Sequence, residues 1–207
     1  MRLTLHLKNL YETVHESRKL SYFLFAVFLL SLLYPSDLTR YPKEVDRSNA
    51  GFLVYETENY LRFINTAVQI IVPVILADKA GMVQLAYIAV STTIATHGVK
   101  RLVNDWNILG TRIGQRPSYE GSKHNAPSGH SSMASCAAYF VCRRYSRWYA
   151  LLLVPILLLT MYARVMLNDH TISAVLSGAF LGLLTAAIFT TKLRDKAHFV
   201  IHKFLNK

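Results

Sequence analysis

The chain has 207 residues, 52% of them hydrophobic, and a formal net charge of +11. Its mean hydropathy of +0.25 is too high for an ordinary water-soluble domain, and its basic residues fall between or beside apolar runs, so the charge points to membrane topology and away from nucleic acid. The two cysteines, Cys136 and Cys142, stand in one apolar run with a spacing that matches no zinc motif; at a helical rise of about 1.5 Å per residue their backbones are beyond disulfide reach, and neither a bridge nor a metal site is expected.

Six apolar runs predict one all-α domain, an integral membrane bundle of six transmembrane helices over residues 20–191. Residues 1–19 form a cytoplasmic or interfacial lead-in with Arg2, Lys8, Arg18 and Lys19. The first run, 20–34, is stopped by Pro35, and no small-x-small cleavage site follows it, so it is expected to be retained. The second, 60–77, contains Gln69 and Pro73. The third, 83–99, carries Ser91, Thr92, Thr93, Thr96 and His97, which is polar for a lipid-facing helix and predicts packing against other helices. The fourth, 131–141, ends at Arg143 and Arg144. The fifth, 148–167, tolerates Pro155 because neighbouring helices satisfy the freed carbonyl. The sixth, 171–191, presents Gly178 and Gly182 as a helix-packing face. Residues 192–207 alternate cations with Phe199, Val200, Ile201, Phe204 and Leu205, as a basic amphipathic tail on an anionic leaflet does.

Lysine and arginine concentrate on the cytoplasmic side of short connections. The N-terminal segment, the 143–147 connection and the tail satisfy that rule together in a six-span layout, while the translocated segment 35–59 is net acidic. One connection breaks the rule. Residues 100–127 fall on the translocated side yet carry Lys100, Arg101, Arg112, Arg116 and Lys123 against Asp105 and Glu120. An anionic ligand is the simplest reason for that excess.

Three groups meet at this boundary: Lys100, Arg112 and Arg116-Pro117; Pro127-Ser128-Gly129-His130; and Arg164 with His170. Guanidinium and ammonium groups neutralise a phosphate dianion, and the Ser128 hydroxyl with the amides opening a helix adds donors at a favourable dipole end. Two histidines allow in-line displacement, one attacking phosphorus and the other moving the proton, with no metal or cofactor required.

The stretch Arg116-Pro117, Pro127-Ser128-Gly129-His130-Ser131-Ser132 and Ala163-Arg164-x5-His170 resembles the signature of the type 2 phosphatidic acid phosphatase superfamily, K-x6-RP, PSGH and SR-x5-H-x3-D. The resemblance implies His170 as nucleophile and His130 as general acid and base. It implies Lys100, Arg116, Ser128, Gly129 and Arg164 as phosphate ligands, with Arg112 as an extra one. Two departures stand out. The family spacing calls for a lysine where Leu109 stands, which predicts an insertion after Lys100. The family aspartate four residues past the nucleophile is replaced by Ala174, so Ser173 or Asp169 is expected to orient the histidine. The substrate implied is a phosphorylated envelope lipid, lipid A first and undecaprenyl diphosphate second, at the periplasmic face of a bacterial inner membrane, with no obligate protein partner. Phosphotransfer between lipids and non-catalytic lipid binding are the other readings.

Overall fold

The computed structural model describes residues 18–42, 45, 47 and 50–193. Most of the lead-in and nearly all of the amphipathic tail expected from the sequence lie outside the described residues. Every apolar run is helical: α1 (Arg18–Leu32), α3 (Ile64–Ile75), α4 (Lys79–Leu102), α5 (Gly129–Arg144), α6 (Ala150–Met166) and α7 (Ile172–Phe189). A further short helix, α2 (Phe52–Asn59), forms inside the segment read as an acidic loop, because Val54 and Thr57 give it a buried side against α6. The chain is therefore all-α, apart from a two-residue-per-strand hairpin, β1 (Asn107–Ile108) with β2 (Thr111–Arg112).

Helix α5 stands at the centre, against α3, α4, α6 and α7, while α1 covers the far side of α7. Its sequence explains the position. Ser131, Ser132, Ala134, Ser135, Ala137 and Ala138 are buried and small, which lets neighbouring backbones approach. Gly178 faces the Ser128 backbone and Gly182 the Ser132 carbonyl so closely that a Cβ at either position would overlap it. Polar side chains then tie helix to helix. The Asn65 amide donates to the carbonyls of Ala134 and Leu153, both at 3.0 Å, and the Thr92 and Thr185 hydroxyls meet at 2.6 Å.

The outside of the bundle is apolar, with Leu30, Ile75, Ile94 and Leu151 all largely exposed. Residues 147–166 and Ile172–Phe189 are long and apolar enough to cross a membrane. The central α5 is too rich in serine and alanine to read as lipid-facing, and α3 has 12 residues, preceded by a turn of 3-10 helix at Leu61–Phe63.

One end of the bundle is closed by Arg144, expected from the sequence as a topology cation and found buried. Its Nε and Nη2 donate to the Asp78 carboxylate at 2.5 and 2.7 Å, and its Nη1 to Gln84 Oε1 and to the carbonyl and hydroxyl of Thr191. The Tyr145 hydroxyl and the Gly81 amide also donate to Asp78. Burial pushes the Asp78 carboxyl up, but these donors outweigh it and hold the group below its usual range.

Candidate active site

At the opposite end meet the last turns of α4 and α6, the first turns of α5 and α7, the end of α2 and the 103–128 connection. The connection folds on itself through two asparagines. Gly114 N–H donates to the Asn104 carbonyl, His124 N–H to Asn104 Oδ1 and Asn125 N–H to the Gly114 carbonyl, at 2.9–3.1 Å. A Cβ on Gly114 would collide with Asn104, so this close approach requires glycine. The hairpin within the connection turns at Leu109 and Gly110, φ +49° and +84°, and supplies extra residues between Lys100 and Arg116. Arg112 serves this loop: its Nη2 donates to the carbonyls of Ser122 at 2.6 Å and Glu120 at 3.1 Å, with Asp105 beside Nη1 at 3.7 Å. It is not among the cations gathered at His170.

His170, 2% exposed, has Nδ1 2.7 Å from the Asn125 carbonyl oxygen. A carbonyl only accepts, so Nδ1 carries the proton and Nε2 presents its lone pair. Burial pushes the imidazole well below its ordinary range; Arg164, Lys100 and Arg116 push the same way, against the smaller opposing effect of the Asn125 carbonyl. The ring is neutral at pH 7. Asn125 is itself clamped, since Nδ2 donates to the Ile113 carbonyl and to Thr171 Oγ1 while Oδ1 accepts from Thr171 N–H.

Neither sequence candidate for orienting His170 hydrogen-bonds its ring. Ser173 is hydrogen-bonded to Ser36 at 2.7 Å and Thr171 at 2.9 Å, and Asp169 accepts from Arg47 Nη2 at 2.8 Å and is ion-paired with Arg164 Nη2 at 3.0 Å. Ala174 lies fully buried in an apolar cluster with Phe28, Leu32, Val103 and Ile113, and its carbonyl accepts from Ser128 N–H. A backbone carbonyl from a loop thus meets the His170 ring, while position 174 faces hydrocarbon.

Arg164 is 7% exposed. Its Nη1 donates to Glu58 Oε1 at 2.7 Å and its Nη2 is ion-paired with Asp169 at 3.0 Å, while Nε has no partner. The same Glu58 oxygen accepts from Arg62 Nη1 at 2.5 Å, and Arg62 Nη1 lies 3.2 Å from His130 Nε2. The Ser128 and Ser131 hydroxyls are buried without partners, and the space where a Cβ on Gly129 would stand is open. Unpaired donors around an open helix N-terminus suit an anion. Reading the sequence alone missed Asn125, Glu58 and Arg62. The only signal was the four-residue spacing of Glu58 and Arg62 just ahead of an apolar run, and Asn125 two residues before Pro127.

The PAP2 superfamily model matches residues 81–197. The chain belongs to the PAP2 superfamily. Curated relatives include two proteins named lipid A 1-phosphatase from Helicobacter pylori. The one from strain 26695 is 39% identical over 162 residues, 78% of this chain and 84% of the relative; the one from strain J99 is 41% identical over 151 residues, 73% and 78%. A lipid A 4′-phosphatase of strain J99 is 31% identical over 159 residues, 75% of this chain and 79% of the relative. No solved structure matches. Against the motif pattern quoted above, this chain has a hairpin between Lys100 and Arg116 and Ala174 at the place of the aspartate.

Proposed function

We propose that this PAP2 protein is a membrane lipid phosphatase acting on lipid A through a metal-independent phosphohistidine intermediate. The observation that carries the reading is the bond of His170 Nδ1 to the Asn125 carbonyl, which leaves the Nε2 lone pair uncommitted on a ring that feels the charges of Arg164, Lys100 and Arg116. In that mechanism Nε2 attacks phosphorus, the P–N bond forms as the P–O bond to the sugar breaks, and His130 gives its proton to the leaving oxygen. His130 then takes a proton from water, whose oxygen attacks phosphorus; the P–N bond breaks, inorganic phosphate leaves and His170 is restored. Lys100, Arg116 and Arg164 offset the charge on the phosphoryl oxygens, with the Ser128 hydroxyl and the Gly129 amide as further donors.

Six spans with both termini cytoplasmic and the site at the periplasmic face of the inner membrane fit the bundle. Its exterior is apolar, its helix ends alternate between the Arg144 end and the His170 end, and the basic 143–147 connection lies at the former. The identities favour the 1-phosphate over the 4′-phosphate, 39% and 41% against 31%. The test is release of inorganic phosphate by the purified protein from lipid A carrying phosphate at position 1 alone or 4′ alone. Release from the first and none from a His170→Ala variant is expected; no release from either lipid would overturn the reading.

A further inference from the structure

Two guanidinium groups at the His170 end converge on a single oxygen. Arg164 Nη1 donates to Glu58 Oε1 at 2.7 Å, and Arg62 Nη1 donates to the same atom at 2.5 Å. Neither Glu58 nor Arg62 falls in the PAP2 signature; they stand at the end of α2 and in the 3-10 turn ahead of α3. Charged donors from two separate elements aimed at one oxygen are what an arginine pair offers to a phosphoryl group. Here a carboxylate of the chain itself receives them.

The two carboxylates on Arg164 are held differently. Asp169 is fixed: it is ion-paired with Arg164 Nη2 at 3.0 Å, it accepts from Arg47 Nη2 at 2.8 Å, and its own N–H donates to the Arg164 carbonyl. The second oxygen of Glu58, Oε2, is buried without a partner among the described residues, and the Glu58 side chain is 20% exposed against 9% for those of Arg164 and Asp169. A carboxylate with one oxygen buried and unpaired is weakly held, so Glu58 is the partner that an entering phosphate dianion displaces.

Arg62 makes a contact that the acid role of His130 does not allow to persist. Its Nη1 lies 3.2 Å from His130 Nε2, and a guanidinium only donates, so that nitrogen accepts and carries no proton. The contact has to be given up before His130 delivers a proton, and the guanidinium then needs another acceptor. Its carbon lies 4.8 Å from the centroid of the Phe63 ring, which keeps it close to the site. Arg62 Nε and Arg164 Nε, both buried without partners among the described residues, are further donors for an anion that enters between them.

We propose that Arg62 is a further phosphate-binding residue and Glu58 its displaceable carboxylate: substrate phosphoryl oxygens take over the hydrogen bonds that Glu58 Oε1 receives from Arg62 and Arg164, and the same exchange draws Arg62 off His130 Nε2. Glu58 thereby sets phosphate affinity by competition, and Arg62 adds its charge to those of Lys100, Arg116 and Arg164. The inference rests on the phosphatase reading and deepens it by naming residues of the phosphate site outside the signature.

The test reads binding apart from turnover, by calorimetric titration of inorganic phosphate into the purified, detergent-solubilised full chain. Removing the competing charge in Glu58→Gln or Glu58→Ala should lower the phosphate Kd about tenfold. Arg62→Ala should raise it about tenfold or more, and Arg62→Lys, which keeps the charge without the fork, should recover part of the loss. In the double variant Glu58→Ala/Arg62→Ala, the Kd should lie above that of Glu58→Ala alone. Thermal unfolding checks that each variant is folded, and Glu58→Gln, which keeps the side-chain shape and an acceptor oxygen, decides the matter if Glu58→Ala is not. A folded Glu58→Gln protein that binds phosphate no tighter than wild type overturns the proposal, as does an Arg62→Ala protein that binds it equally well. The expected shifts in a protein that releases phosphate from neither nitrophenyl phosphate nor lipid A would uphold the exchange and overturn the phosphatase reading instead.

Discussion

Two arginines close off the two ends of this bundle, and they are held in opposite ways. Arg144 and Arg164 are 4% and 7% exposed. Around Arg144 every guanidinium nitrogen has a partner, and Asp78, Gln84, Tyr145 and Thr191 complete a closed network that ties the α3–α4 turn and the start of α4 to the ends of α5 and α7. Around Arg164 the polar groups are incomplete: its own Nε, Arg62 Nε, Glu58 Oε2, Ser128 Oγ and Ser131 Oγ are buried without partners. Leaving a buried donor unpaired costs about 1–3 kcal/mol each, so a fold keeps such a cluster only where something else is served. The satisfied network suits architecture, and the unsatisfied one suits the charged ligand of the proposed function.

Breaking the two networks should therefore have different consequences. Arg164→Ala is expected to lower phosphate release by about a hundredfold to a thousandfold with little change in the thermal midpoint. Arg144→Ala should cost about 3–5 kcal/mol of stability by stranding Asp78, while the protein that stays folded keeps its kcat. Equal effects of the two substitutions on kcat would erase the distinction.

Ala174→Asp sharpens the comparison on the nucleophile's side. The family carboxylate would enter the cluster of Phe28, Leu32, Val103 and Ile113, and an unpaired charge there should cost about 3 kcal/mol or more. Thermal unfolding of the detergent-solubilised variant measures it; a stable variant with raised activity would mean that His170 accepts a second orienting partner. Asn125→Ala keeps the carbonyl and removes the side-chain bonds to Ile113 and Thr171 that hold it. Since a displacement of about 1 Å can cost about a hundredfold, kcat should fall between about tenfold and a hundredfold with KM nearly unchanged.

The smallest effect is on pH dependence. A histidine in the unfolded chain titrates near pH 6.5, whereas burial and three cations hold folded His170 well below that. The unfolded state therefore binds the extra proton first, and this contribution to stability is lost as pH falls below about 6.5. Thermal midpoints from pH 7.5 to 5.5 should decline less steeply in His170→Asn than in the wild type.

Much of this was legible in one dimension because it depends on local pattern. Apolar runs bounded by prolines and arginines became helices, and Gly178 and Gly182 marked a packing face because only a missing Cβ lets α7 approach Ser128 and Ser132. The PSGH stretch and Arg164-x5-His170 pointed to a candidate site that the fold gathers at one end of the bundle, at the mouths of adjacent helices. Helix α2 was not legible, since its eight residues gain a buried side only by lying on α6. The loop bonds of Arg112 were not legible for a related reason: the carbonyls of Glu120 and Ser122 come within its reach only once the loop has folded.

The sequence by itself determined the all-α architecture, the basic connection that breaks the charge rule and the pair of histidines, all of which follow from residue type and spacing. The tertiary structure alone decided which nitrogen of the His170 ring is available. That assignment comes from a group distant in the chain, the Asn125 carbonyl. A backbone carbonyl carries no sequence signature, and the direction of a hydrogen bond is set only once the chain has brought donor and acceptor together.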